Sequence, residues 1–200
     1  MRRSSIHVRD ATVDDLDTVI SFADNVRDLP AGRRYGGRPA APVDVRERYE
    51  VLLTNPDRRV VLAVGDGDLV LGMAVLSVDL AGELLDVPVI RVSHLVVERA
   101  QRRKGAGRAL VAAAGSYADR MGVEHVTVGA ATTDREANRF LARLGFAPVV
   151  VRRVAPLAVL RRHLAVPKTD AIPTHLARRR GPGIRPSLTR SPLGRAQDLA

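Results

Sequence analysis

The sequence predicts an α/β fold in which helices flank a central, mixed β-sheet. Short apolar runs rich in Val and Ile alternate with longer runs rich in Ala and Leu, in the order β-α-α-β-β-β-α-β-α-β. Leu, Val and Ala are frequent enough to fill a hydrophobic core, although aromatic residues make up only 3% of the chain. The length of 200 residues allows one domain of ordinary size and a tail.

The first half of the predicted fold contains a strand, two helices and a β-hairpin. A strand at 6–9 leads into a helix for which Thr12 is a suitable N-cap. The acidic residues that follow Thr12 are favoured in the first turn by the helix dipole. Residues 30–42 form a Gly-, Pro- and Arg-rich loop whose length favours a functional role. The remaining elements are a helix at 43–53 and hairpin strands at 59–64 and 69–78.

The second half of the predicted fold alternates strands and helices. Val-rich runs predict the strands, and Ala- and Leu-rich runs predict the helices. The elements are a strand at 89–97, a helix at 107–121, a strand at 123–128, a helix from 134, a strand at 149–154 and a helix at 156–164.

The positive charge is concentrated near the C-terminus. Residues 1–150 hold 21 basic and 20 acidic residues, whereas residues 166–200 hold seven basic and two acidic ones. We therefore predict a folded domain over 1–165 and a basic, disordered tail over 166–200. Such a tail suits an acidic partner such as nucleic acid or the ribosome, and it also suits a purely solubilising role.

Several classes of protein are disfavoured by composition. The chain has no cysteine, which excludes a disulfide, a thiol nucleophile and a Cys-based metal site. Its five histidines show no metal-ligand spacing, so no metal is expected. No apolar run is long enough to span a membrane, and the N-terminus lacks the apolar stretch of a secretory signal. We expect a cytoplasmic protein without a membrane partner.

A basic, glycine-containing loop between the strand at 89–97 and the helix at 107–121 carries the strongest functional signal. Its glycines let the backbone approach a ligand, and the first amides of the helix face whatever lies over the loop. The pattern therefore predicts a pyrophosphate site. The loop consists of Arg102, Arg103, Lys104, Gly105, Ala106, Gly107 and Arg108.

Two well-known phosphate-binding motifs do not fit this loop. A P-loop needs Lys and then Ser or Thr after its last glycine, but Arg108 follows Gly107. A dinucleotide fingerprint needs a third glycine, where this chain has Leu110, and an acid that closes the next strand, whereas Glu124 opens it. The remaining pattern is Arg-x-x-Gly-x-Gly.

That pattern resembles the pyrophosphate-binding signature of the GNAT superfamily of N-acetyltransferases, which use acetyl-CoA. The preceding Leu95-Val96-Val97 and the later Leu144-Gly145-Phe146 match the same family, and the similarity is strong over 89–150. The resemblance implies a GNAT-like fold and transfer of an acetyl group to a primary amine by direct attack in a ternary complex. Homodimers are common in the family.

The resemblance also implies a binding mode for acetyl-CoA. The pantetheine arm would lie against the backbone of Leu95, Val96 and Val97, and the pyrophosphate would lie on residues 102–108. Asp134 replaces the Asn that often opens the later helix, and Asn138 lies one turn further on. Both residues are therefore assigned to the cofactor site.

The catalytic positions depart from the family pattern. The Tyr that usually protonates the leaving thiolate is replaced by Leu141, and the usual base positions fall on Ser93 or Arg91. Strand alternation points His94 away from Ser93, unless a β-bulge turns it toward the cleft. His94 is either a general base or a histidine bonded to the first helix, and Tyr35 is either the missing phenol or a packing residue.

Three functions follow from these residues. The first is an acetyl-CoA-dependent N-acetyltransferase whose amine acceptor is a small molecule or a protein. The second is a catalytically degenerate acyl-CoA-binding protein. The third is a protein that associates with nucleic acid or the ribosome through its basic tail.

Overall fold

The computed structural model describes residues 5–27, 44–82 and 84–164. Its centre is a five-stranded sheet in which the strands lie side by side in chain order. The first four strands form three antiparallel pairs, and the fifth strand is parallel to the fourth, which confirms the predicted mixed sheet. The strands are β1 (His7–Asp10), β2 (Arg59–Val64), β3 (Val70–Leu80), β4 (Pro88–Val97) and β5 (Val126–Val128).

The described part of the chain contains five α-helices. They are α1 (Leu16–Arg27), α2 (Val45–Thr54), α3 (Ala106–Met121), α4 (Arg135–Arg143) and α5 (Leu157–Leu164). The chain divides into two units, Met1–Val154 and Ala155–Ala200, and α5 belongs to the second. The predicted loop at 30–42 and the predicted tail at 166–200 lie outside the described residues.

The two faces of the sheet carry two separate apolar cores. On one face, Leu110 and Ala114 of α3 pack on Val61 and Ile90 of the strands, and all four are at most 1% exposed. On the other face, the first two helices cover β2 and β3, and Val19 of α1 is fully buried. The apolar period of each helix therefore matches the face of the sheet that it covers.

A short 3₁₀ turn, Val13–Asp15, leads into α1, and the Asp15 side chain at its end binds residues that precede the turn. Thr12 is the N-cap residue, as predicted, and its backbone amide donates to the Asp15 carboxylate over 2.9 Å. The two terminal guanidinium nitrogens of Arg9 each donate to one oxygen of the same carboxylate over 2.7 Å. Hydrogen bonding from Arg9 lowers the pKa of Asp15 to about 2. The stabilisation is therefore fully present above pH 3.8 and is lost as the pH falls from 3.8 through about 2.

The structure differs from the prediction mainly after α3. The strand predicted at 123–128 is paired only over Val126–Val128, and the segment predicted as a strand at 149–154 has no strand pairing among the described residues. Val149 and Val150 are instead 89% and 76% exposed. High β-propensity at these positions is not sufficient, because a strand forms only where a neighbouring edge accepts its hydrogen bonds.

The backbones of β3 and β4 lie unusually close together at Gly72. Gly72 pairs with Val97, and a Cβ at Gly72 would lie 2.6 Å from the carbonyl oxygen of Val96. That contact involves backbone atoms that cannot rotate away. Any larger residue at position 72 must therefore displace the end of β4.

We predict that Gly72→Ala destabilises the protein by about 1–3 kcal/mol, because the added methyl group overpacks two strands. The matched control is Gly115→Ala in α3, where an added Cβ meets no atom within 4 Å. This control should stabilise the protein by about 0.5–1 kcal/mol through helix propensity. Urea unfolding measures both values. Equal stability of the Gly72→Ala variant and the wild type would contradict the close approach.

Candidate active site

A β-bulge in the middle of β4 determines where its side chains point. His94 lies opposite Val75 and Val92 lies opposite Leu76, so Ser93 is an extra residue between two partners in register. After a bulge the alternation of faces restarts. The β-bulge on which the predicted direction of His94 depends is therefore present, but His94 stays on the face opposite Leu95 and Val97, and its role as a base stays a prediction.

The bulge places neighbouring residues of β4 on opposite faces of the sheet. Leu95 and Val97 pack against the core beneath α3, whereas Val96 packs against the core beneath α1 and α2. His94 lies on the same face as Val96 and lines a cavity under those two helices. One strand thus contributes to two different surfaces.

The cavity that contains His94 has a volume of about 250 Å³ and a mostly apolar wall. Its polar lining residues among the described part of the chain are His94, Arg48 and Tyr49, and the Arg48 guanidinium lies 5.0 Å from the centre of the Tyr49 ring. The apolar lining residues are Val19, Ala23, Leu52, Met73 and Val75.

The hydrogen bonds of Ser93 define the tautomer of His94. The Ser93 hydroxyl donates to the Val75 carbonyl oxygen over 3.3 Å, and its oxygen lies 3.3 Å from Nδ1 of His94. Because a hydroxyl has one hydrogen to donate, its oxygen is left to accept from Nδ1–H. This network assigns the lone pair of neutral His94 to Nε2, which is the nitrogen that can accept a proton.

Desolvation favours the neutral form of His94. Although the residue keeps accessible surface, the surrounding protein lowers its pKa below the ordinary value of 6.5. A neutral imidazole at pH 7 is the form that a general base requires.

The end of β4 has an open edge. β5 pairs with β4 only from Ile90 to Val92, so Leu95, Val96 and Val97 have no strand partner on that side among the residues described. Their amides and carbonyls on this edge are available to an extended ligand that adds to the sheet.

The loop after β4 presents free backbone amides. Arg103 and Gly105 both have left-handed backbone conformations, with φ values of 65° and 104°. The first bond of α3 runs from the Ala109 amide to the Gly105 carbonyl over 3.0 Å. The amides of Ala106, Gly107 and Arg108 precede that bond and are therefore unsatisfied by the helix, which makes its N-terminus suitable for an anion.

The cations of the loop are partly balanced by one carboxylate. Glu136 of α4 accepts from Arg102 over 3.2 Å and from Arg103 over 3.5 Å. Lys104 donates to the side chain of Gln101 over 2.7 Å, and Arg108 is exposed. Because these pairs are exposed, they are weak, and a polyanion can compete for the arginines.

The two glycines of the loop serve different purposes. Gly105 provides the left-handed turn, whereas a Cβ at Gly107 would lie 3.2 Å from the Phe140 ring and 3.6 Å from Val97. The absence of a side chain at Gly107 therefore has a packing reason, since it leaves room for the Phe140 ring. The expected approach of a ligand to the backbone of Gly107 stays a prediction.

Two predicted cofactor residues, Asp134 and Asn138, lie at the start of α4. The Asp134 side chain accepts from the Ala137 amide over 2.9 Å and caps the helix. The Asn138 side-chain amide donates to the carbonyls of Ala131 and Asp134 over 2.7 and 2.6 Å. Both side chains stabilise the turn before α4, and their contact with a cofactor stays a prediction.

A family model described as Acetyltransferase (GNAT) family matches residues 23–146. This chain belongs to the GNAT family. No curated protein matches the sequence.

Solved structures share the GNAT fold at low sequence identity. A tetramutant of the BH1408 protein from Bacillus halodurans has a TM-score of 0.62 and 20% identity over 75% of this chain and 99% of its own. An aminoglycoside acetyltransferase, meta-AAC0020, from an uncultured soil metagenomic sample has a TM-score of 0.58 and 20% identity. The match covers 76% of this chain and 96% of that enzyme. A ribosomal-protein-alanine N-acetyltransferase from Brucella melitensis has a TM-score of 0.58 and 17% identity. The match covers 76% of this chain and 100% of that protein.

Other candidate residues of this GNAT domain can now be placed. Leu141, which stands where many relatives have a catalytic Tyr, is 8% exposed and packs as a core residue. Tyr35 lies outside the described residues. Sequence reasoning missed Arg48 and Tyr49, although the spacing of Tyr49 and Leu52 in the predicted helix indicates a shared face.

The described ranges of the chain lack both a cluster of metal ligands and a helix suited to cross a membrane. The described residues contain no group of three or more acidic or histidine side chains that could hold a metal ion. None of the helices in these ranges has the length and apolar character needed to cross a bilayer.

We predict that His94 titrates below pH 6.5, because desolvation disfavours the imidazolium. The unfolded chain binds this proton first, so the free energy of unfolding should fall as the pH drops below 6.5. NMR titration of the ring protons in wild type and in His94→Gln assigns the signal and measures the midpoint. A midpoint at or above 6.5 would contradict the desolvated environment.

Proposed function

We propose that this GNAT protein is an acetyl-CoA-dependent N-acetyltransferase that acts on a primary amine by direct attack in a ternary complex. The observation that carries the proposal is the shared strand β4. Its open edge at Leu95–Val97 runs into the basic loop, and its bulge directs the adjacent His94 into the apolar cavity. A thioester on the edge and an amine in the cavity would therefore meet at the same strand.

The residues at the open edge and the loop fit acetyl-CoA. The backbone groups of Leu95–Val97 that face away from β3 offer hydrogen bonds to a pantetheine arm, and the loop offers free amides and cations to a pyrophosphate. Acetyl-CoA supplies an activated acyl group and a thiolate leaving group. The Val97 amide is the candidate donor to the thioester carbonyl, where negative charge develops.

The cavity residues provide the proton chemistry. Nε2 of neutral His94 takes the proton that the amine loses as the new N–C bond forms and the C–S bond breaks. The leaving thiolate then needs a proton. Leu141 cannot supply one, and Tyr49 is the phenol within the described wall of the cavity, so we assign it as the candidate acid.

The loop assignment predicts a specific loss of acetyl-CoA binding. Lys104→Glu with Arg108→Glu reverses two exposed charges beside the free amides, and we expect the Kd for acetyl-CoA to rise at least about tenfold. The control, Arg58→Glu with Arg143→Glu, makes the same change of net charge at exposed positions outside the loop. Isothermal titration calorimetry measures both variants against the wild type.

A selective loss in the loop variant supports the pyrophosphate site. Equal weakening in both variants would instead indicate a non-specific effect of net charge. If folded wild-type protein does not bind acetyl-CoA, the proposed reaction is wrong. If it binds acetyl-CoA and acetylates no amine, the catalytically degenerate alternative replaces the enzyme.

The assignment of His94 as the general base predicts a separate kinetic effect. His94→Ala should lower kcat/KM about 100-fold while leaving acetyl-CoA affinity unchanged, because the imidazole faces the cavity and not the loop. The control Ser93→Ala removes the hydroxyl that orients Nδ1 and should have a smaller effect. Steady-state rates over pH 5–9 measure both, and an unchanged rate in folded His94→Ala would exclude the base.

A further inference from the structure

We propose that the acceptor is a monoamine on a compact apolar body that also carries a carboxylate, as an apolar amino acid does. This inference rests on the proposed function, which places the acceptor in the His94 cavity. It adds the chemical class of the acceptor, which neither the family nor the shared fold defines. Three properties of the cavity support it: its size, its apolar wall and the sign of its charge.

The size of the cavity restricts the part of the acceptor that enters it to a small group. Ligand pockets for drug-sized molecules usually have volumes of about 300–1,000 Å³. The volume of about 250 Å³ here lies below that range, so one ring or one branched aliphatic chain fits. A molecule with several sugar rings does not fit inside it.

The apolar wall disfavours an acceptor with several positive charges. Val19, Leu52 and Met73 offer no hydrogen bond to an ammonium group through their side chains. A charge that enters such a surrounding without a partner loses its hydration without compensation. The apolar body of a monoamine, in contrast, gains free energy from the same contacts.

The charge of the cavity also disfavours an acceptor with more than one ammonium group. Arg48 is permanently positive, His94 is neutral at pH 7, and no carboxylate lines the cavity among the described residues. The nearest acids along α1 have other interactions, since Asp17 binds Arg46 and Asp24 has a partner of its own. A second ammonium would therefore meet repulsion from Arg48 without an attractive partner.

A carboxylate would bring the complementary charge. The Arg48 guanidinium lies over the Tyr49 ring, which supports its planar group beside the cavity. A carboxylate can accept two parallel hydrogen bonds from a guanidinium, which fixes orientation as well as adding affinity. With the acid held by Arg48, the amine of the same molecule would lie near the neutral His94.

The test compares two products that share one apolar body and differ in a carboxylate. N-acetylphenylalanine and N-acetylphenethylamine are titrated into CoA-saturated protein, and binding is followed by calorimetry and by the NMR signal of the His94 ring. We expect the acid to bind at least about tenfold more tightly to the wild type, with a shift of the His94 signal. Arg48→Ala should abolish this preference, and Arg48→Lys should retain part of it.

Arg46→Ala is the matched control, because Arg46 lies on the same helix but binds Asp17 and does not line the cavity. Its preference for the acid should equal that of the wild type. Thermal unfolding of every variant confirms that a lost preference does not come from unfolding. A preference that survives Arg48→Ala, equal binding of the two products, or binding of neither would overturn the inference.

Turnover separates this inference from the proposed function. Initial rates are measured with phenylalanine, phenethylamine and spermidine at saturating acetyl-CoA. Highest kcat/KM for phenylalanine supports the inference. Highest kcat/KM for spermidine or phenethylamine overturns it but retains the N-acetyltransferase. Acetyl-CoA binding without acetylation of any amine counts against the proposed function, and the product titration still decides whether the cavity prefers a carboxylate.

Discussion

The extra residue in β4 is the constraint on which the site depends. Without a bulge at Ser93, strict alternation would place His94 on the same face as Val92, in the core beneath α3. The bulge reverses the alternation for the rest of the strand, so Leu95 and Val97 enter that core and His94 leaves it. The same Ser93 hydroxyl then accepts from Nδ1. One inserted residue therefore sets both the direction and the tautomer of the imidazole.

The packing around the bulge keeps the end of β4 in a fixed position. On one side, Gly72 allows the backbone of β3 to come within contact distance of Val96. On the other side, a side chain at Gly107 would come within 3.2 Å of Phe140 of α4 and within 3.6 Å of Val97. Only the third side, beyond the end of β5, is open among the described residues. The open edge is thus a consequence of a short β5 combined with close packing elsewhere.

The sequence predicted the elements that carry strong local signals. The loop at 102–108 could be located because glycines, cations and the start of a helix coincide there, and the structure places free amides at that point. The direction of His94 could be given only as conditional, since a bulge depends on the register between two strands and leaves no signal in one of them. Arg48 and Tyr49 were missed because the cavity is formed by helix packing that local patterns do not define. The strand predicted at 149–154 was wrong because propensity does not specify a partner.

The basic loop and the His94 cavity, which both adjoin β4, differ in their electrostatics. The loop holds its cations in exposed pairs with Glu136, which a polyanion can replace without leaving a buried charge unpaired. In the cavity, desolvation instead lowers the pKa of His94 and favours its neutral form, so Arg48 is the permanent charge among the described lining residues. Under the proposed function, several exposed cations would select the ligand at the loop, whereas shape, apolar contact and the single charge of Arg48 would select it at the cavity. In the proposed reaction, an amine that enters this cavity would meet the neutral imidazole of His94, and Arg48 would bind a carboxylate on the same molecule.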